Sequence, residues 1–179
     1  MTCSLRGPAA IVGACAAAVL MLLVLGAPAR AVGLAVCTGS ESASFSPAMT
    51  LTAQSGRIDY ADTLGCTSND SGAATATTGG SFTGSYGCLD PVTLPGQTGT
   101  LTYTWADRTT SVFSYTSVTG DLFAGGSYVF TAVGSMTSGK FAGAAVTLVQ
   151  ADPTLSLVQC LTTGISAVTG DLTLTVTGT

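Results

Sequence analysis

The sequence predicts an all-β chain folded as an antiparallel β-sandwich, and three observations carry that expectation. The first is alternation. Leu101, Tyr103 and Trp105 alternate with Thr100, Thr102 and Thr104, and Leu172, Leu174 and Val176 alternate with Thr173, Thr175 and Thr177. A period of two marks a strand with one buried face, and β-branched Thr suits the face left in water. The second is punctuation by short polar and glycine clusters, as at Asn69-Asp70-Ser71-Gly72 and Thr137-Ser138-Gly139. The third is the scarcity of surface helix formers: Glu and Lys occur once each, at Glu41 and Lys140.

In chain order, segments 37–45 and 58–66 read as a pair joined across a loop near Pro47. Ile58, Tyr60, Leu64 and Cys66 share one phase of the second segment, with Asp62 as the one acid in a core position. Met49, Leu51 and Ala53 also alternate with Thr50 and Thr52. Residues 73–82 form the next candidate strand, with Gly79-Gly80 read as a turn cluster, and residues 91–99 form a loop. Trp105-Ala106-Asp107-Arg108-Thr109-Thr110 is the clearest hairpin connection, with Trp105 expected as a core anchor near Phe113 and Tyr115. Candidates 128–135, 144–149, 155–160 and 165–168 follow, after Gly125-Gly126. About eight to ten short strands imply two packed antiparallel sheets, immunoglobulin-like in general architecture, with a closed β-barrel as the alternative.

Residues 1–31 read as an N-terminal signal helix with its cleavage site. Arg6 gives a positive start, residues 9–25 are apolar apart from Gly13, and Pro28 precedes the small-x-small triplet Ala29-Arg30-Ala31. A transmembrane anchor is the competing reading, because the apolar run is close to the length that spans a bilayer. The breaker and cleavable exit favour a signal peptide. Two lipidation-like stretches, Val12-Gly13-Ala14-Cys15 and Leu34-Ala35-Val36-Cys37, fit poorly. The expected mature chain, 32–179, is a single domain of about 148 residues, secreted or extracellular.

The mature charges are Arg57, Arg108 and Lys140 against Glu41 and the aspartates 59, 62, 70, 90, 107, 121, 152 and 171. Three scattered cations make no basic patch, which argues against nucleic acid and against anionic membrane surfaces as partners. Four cysteines remain: Cys37, Cys66, Cys88 and Cys160. An even count in an exported domain reads as two disulfides. Three connectivities are open. Cys37–Cys66 with Cys88–Cys160 is favoured, because antiparallel pairing of segments 37–45 and 58–66 sets Cys37 opposite Cys66.

The chain has no histidine, which excludes Ser-His-Asp and Cys-His nucleophilic arrangements. It has no Cys-x-x-Cys spacing for zinc and no phosphate-cradling glycine loop. No cofactor, metal site or catalytic set is expected. The acids leave one catalytic route, a glycoside hydrolase using two aspartates such as Asp62 and Asp121. Asp70, Asp90, Asp107 and Asp152 read as turn residues, and Asp62 as a partner for Arg57 or a strand end. Val118-Thr119-Gly120-Asp121-Leu122 recurs as Val168-Thr169-Gly170-Asp171-Leu172; two aspartates are too few for calcium. Asn69-Asp70-Ser71 matches a glycosylation acceptor and is read as a chance match.

Through Cys37-Thr38-Gly39, Phe45-Ser46-Pro47, Cys66-Thr67-Ser68, Ser138-Gly139-Lys140-Phe141-Ala142-Gly143 and Leu157-Val158-Gln159-Cys160-Leu161, the chain resembles small secreted actinobacterial β-sandwich proteins of unknown function. The resemblance implies an exported, compact β fold and assigns no residue a role. In composition the chain is also similar to the apoproteins that carry enediyne antibiotics, although their disulfides close shorter loops. The expected function is a non-enzymatic binding or cell-envelope-associated module. The alternatives are a carrier of a small apolar ligand and the aspartate hydrolase. Exposed aromatics at Tyr86, Phe123 or Tyr128 would mark a recognition patch.

Overall fold

Eight two-faced strands form in the computed structural model, which describes residues 32–89, 98–122, 127–152 and 155–178. They are β1 (Val32–Met49), β2 (Gln54–Ser68), β3 (Thr75–Tyr86), β4 (Gly99–Trp105), β5 (Thr110–Leu122), β6 (Tyr128–Ser138), β7 (Ala145–Asp152) and β8 (Ile165–Gly178). Each is antiparallel to its neighbour in sequence, and β1 also pairs with β8. The sheet therefore closes into a barrel, which corrects the two-sheet sandwich in favour of its alternative. The physical reason lies in β1, whose 18 residues carry hydrogen-bonded neighbours on both edges. Glu41 faces Asp62 on β2 and Gly170 on β8. Closure removes the free edge that an open sheet must protect.

Other expectations change with closure. Residues 155–160 read as a strand, but Leu157–Thr162 is a short helix, α1. Ser156 caps it by accepting from the Gln159 amide, and Gly164 follows with φ of 76°. Gly79 and Gly80 lie inside β3 rather than in a turn. A Cβ on Gly80 would sit 3.2 Å from the Tyr60 hydroxyl, so the glycine makes room for that ring across the ladder. Residues 50–53 connect β1 to β2 instead of continuing the alternation. The Trp105 hairpin forms as expected, with Asp107 accepting from the amide and hydroxyl of Thr109. The Trp105 ring packs on Tyr103 and Phe141 at 6.2 and 5.5 Å, in the same apolar cluster as Phe113 and Tyr115, whose rings pair with each other. Its Nε1 donates to Ser111 Oγ at 2.7 Å. The signal segment 1–31, Phe123, Gly125-Gly126 and most of the 91–99 loop lie outside the described residues.

Two apolar clusters fill the barrel. Tyr103, Trp105, Phe113, Met136, Leu172, Leu174 and Val176 crowd one region. Phe45, Met49, Ile58, Tyr86 and Ile165 form the other. Tyr86, expected at the surface, is fully buried and donates to the Pro47 carbonyl at 2.7 Å. Each cluster holds one disulfide. Cys37–Cys66 bridges directly opposed positions of β1 and β2. Cys88–Cys160 ties the end of β3 to α1. Outward positions along β3 and β4, including Thr75, Thr77, Thr102 and Thr104, are exposed and polar.

The barrel has one weak seam. β2 and β3 pair over twelve positions, whereas the β3–β4 ladder consists of Ala76 with Trp105 and Thr77 with Thr104. Beyond Thr77 the two strands part.

Tight pairing makes a sharp packing prediction. A Cβ on Gly39 would lie 1.9 Å from the Thr63 carbonyl oxygen, whereas one on Gly65 meets nothing closer than 3.9 Å. Gly39→Ala is expected to destabilise the protein by about 2 kcal/mol or more, through forced backbone displacement. Gly65→Ala should be neutral or stabilising by up to about 1 kcal/mol, through a less flexible unfolded chain. Urea unfolding of the two variants checks this, and equal midpoints would contradict the register.

Candidate functional site

A cavity of about 420 Å³ opens inside the barrel, walled by Phe45, Met49 and Ile58 from the β1–β2 hairpin and by Val118, Phe130 and Leu148 from β5, β6 and β7. Ser81, Phe82 and Thr83 of β3, with Thr100 and Leu101 of β4, line it along the seam. Phe82 is 38% exposed although it lines the cavity, which puts the mouth beside it. Tyr60 packs on Phe82 and Tyr128 on Phe130, with ring centroids 6.3 and 5.1 Å apart.

The polar part of the lining is acidic. Glu41 is on β1, Asp62 on β2, and Gln150 and Asp152 on β7, and no basic residue is among the described lining residues. Three sequence features bring these acids together. Glu41 keeps the inward phase of Cys37, Ala43 and Phe45, and the register that joins the cysteines sets Glu41 directly opposite Asp62. Like charges directly opposed across a ladder disfavour pairing. Asp152 extends the inward phase of Val146, Leu148 and Gln150 to the end of β7. Room for it comes from Gly170 on β8, where a Cβ would fall 2.3 Å from Asp152 Oδ1. The Gln150 amide donates to Asp152 at 3.1 Å and to Glu41.

Burial governs the ionisation of this group. Desolvation first, then the neighbouring Asp62 and Asp152, push Glu41 up to about 8, against the Gln150 hydrogen bond. Burial raises Asp62 to about 7 and lifts Asp152 above the usual carboxylate range, again opposed by Gln150. Asp62 is 4% exposed, and its Oδ1 has no hydrogen-bond partner. The buried hydroxyl of Tyr103 is likewise unpartnered, and its acidity is suppressed by burial and by Asp62.

The expected Asp62–Arg57 pair does not form. Arg57 extends outward to Asp59, with Nε 2.9 Å from the carboxylate. Lys140 is held by Asp70 and Asp107 at 2.8 Å each, away from the cavity lining. Asp70 and Asp107 are turn residues, as the sequence suggests; Asp152, expected in the same role, instead lines the cavity. Asp62 and Asp121, the pair considered for hydrolysis, lie on β2 and β5, which are not neighbours. Asp121 faces Val129 on β6, and its side chain lies outside the described residues. Asp171 is exposed on β8. Sequence reasoning missed Glu41, Gln150 and Asp152. Among the described residues, no three His, Cys, Asp or Glu side chains converge closely enough to hold a metal ion, and none of their helices is long and apolar enough to cross a membrane. No protein-family model, curated protein or solved structure matches the chain.

Raised carboxyl pKa values give stability a definite slope. Glu41 and Asp62 hold their protons more tightly folded than unfolded, so their contribution is complete below pH 4 and is lost as pH rises through about 7 and 8. Each pH unit in which one such group is protonated only in the folded state lowers stability by about 1.4 kcal/mol. Asp70 and Asp107, lowered by Lys140, act in the opposite sense below pH 4. The urea midpoint should therefore fall between pH 5 and pH 8.5, and Glu41→Gln with Asp62→Asn should flatten that fall. A wild-type midpoint that stayed level or rose would contradict the burial of these acids.

Proposed function

We propose that this chain is an exported, disulfide-stapled barrel that binds a small molecule with an apolar or aromatic body and performs no chemistry on it. The cavity carries this reading. Its volume lies in the range of about 300–1,000 Å³ common for ligand sites, and such sites pair an apolar lining with a few convergent polar groups. Eight antiparallel strands also make a barrel of the size that holds one small ligand. An internal cavity favours the carrier role over a cell-envelope module, which would read its partner from the outer surface. The outer face instead presents Thr and Ser to water, the reverse of the apolar outer band of a membrane barrel. The signal-like segment and the two disulfides support function in an oxidising exterior.

The test is titration of the oxidised protein with N-phenyl-1-naphthylamine, a neutral apolar probe that fluoresces once it leaves water. Saturable enhancement at one probe per chain is expected. Ala132 of β6 lines the cavity, so Ala132→Trp, which places an indole there, should weaken binding by about tenfold or more while the far-UV spectrum stays that of the parent. Enhancement that does not saturate, or binding that Ala132→Trp leaves unchanged, would remove the cavity from consideration.

A further inference from the structure

We propose that the ligand is an organic cation, a protonated amine carried on an aromatic or aliphatic body, with its ammonium group seated among Glu41, Asp62 and Asp152. The inference rests on the reading of the cavity as a ligand site and narrows it to one chemical class.

Charge is the first argument. Three carboxyl groups line one cavity from β1, β2 and β7, and two of the mature chain's three cations, Arg57 and Lys140, are already engaged by Asp59 and by Asp70 and Asp107. Burying a charge is unfavourable unless it is paired, and no cation in the described lining pairs these acids. The second argument is independent of acidity. Asp62 is 4% exposed, lines the cavity, and keeps Oδ1 without a hydrogen-bond partner. An unpaired buried acceptor on a residue that lines a cavity is complemented by a ligand with N–H donors. Space is also reserved for this arrangement: Gly170 lacks the Cβ that would collide with the Asp152 carboxylate.

The walls select the rest of the ligand. Phe45, Tyr60, Phe82, Tyr115, Tyr128 and Phe130 line the same cavity, and aromatic faces attract cations as well as apolar rings. A bare metal ion would leave that surface unused, and the acids do not converge as a metal cage among the described residues. An anion would meet three carboxyl groups with no cation to offset them.

Proton release gives a second signature. The titratable groups facing the site are Glu41 from β1, Tyr60 and Asp62 from β2, Tyr115 from β5, Tyr128 from β6 and Asp152 from β7, with the Tyr103 hydroxyl of β4 beside Asp62. The described lining of β3 contributes Ser81, Phe82 and Thr83, and that of β8 contributes Val168, none of them titratable. An ammonium bound among the acids drives their protons off, so affinity rises with pH until the amine itself deprotonates.

The experiment uses three probes with one naphthalene body: 2-(1-naphthyl)ethylamine, 2-(1-naphthyl)ethanol and 1-naphthylacetate. Each is titrated calorimetrically into the disulfide-bonded protein, at pH 7 in two buffers of different ionisation enthalpy and again at pH 8. The amine should bind about tenfold or more tighter than the alcohol, with the acetate weakest, and release about one proton per amine bound. Asp62→Asn and Glu41→Gln, which keep the side-chain shapes, should abolish the preference for the amine while leaving alcohol binding in place. An alcohol that equals or exceeds the amine in the parent protein overturns the cation assignment and leaves the carrier reading intact. Amine selectivity that survives both substitutions also overturns it. If none of the three binds, both readings fall.

Discussion

Everything in this molecule follows from the ladder between β1 and β8. That ladder joins the first and last strands over most of their length, from Val32 opposite Gly178 to Met49 opposite Ile165. It turns a meander of two-faced strands into a ring with an inside. Side chains that an open sheet would leave half in water become enclosed, and the chemistry of the enclosed ones changes accordingly. Glu41 shows this directly. On an open antiparallel pair it would be an ordinary solvated acid opposite Asp62. Within the closed ring its proton is held to about pH 8.

The two regions of the interior have different roles. Trp105, Tyr103, Phe113 and Met136 pack one region with interlocking rings and a satisfied indole nitrogen. That packing supplies the stability that a barrel with a cavity elsewhere must find. In the other region, Cys88–Cys160 fastens α1 to the end of β3. The bridge anchors the chain just past the far end of β3, beyond the stretch of β3 that is unpaired with β4. In effect, rigidity and disulfides frame a space that the side chains themselves leave unfilled.

Much of this was legible in the sequence, and the rest was hidden for identifiable reasons. Alternation marked the strands because burial of one face imposes a period of two. It could not separate a sandwich from a barrel, since both bury one face of each strand, and closure depends on pairing between residues more than a hundred positions apart. The short helix Leu157–Thr162 passed as a strand because six residues are too few to display a helical period. Gly79-Gly80 passed as a turn, although the glycines accommodate Tyr60 from the facing strand. Asp152 was disguised by the neighbouring Pro153, which suggests a turn, while its phase with Val146, Leu148 and Gln150 pointed inward. The most useful signal was available and unused. The pairing that sets Cys37 opposite Cys66 necessarily sets Glu41 opposite Asp62, so the acidic site could have been read from the disulfide register.

The defining feature of the cavity is a set of carboxyl groups enclosed without a cation among its described lining residues. Carboxyl carbon chemical shifts of Glu41 and Asp62, followed by NMR across a pH titration of the ligand-free protein, test that most directly. Midpoints near 8 and 7 respectively are expected, with Glu41 returning toward its ordinary value when Asp62 is replaced and both returning when an amine is added. Two midpoints near 4, as for solvated acids, would contradict that enclosure.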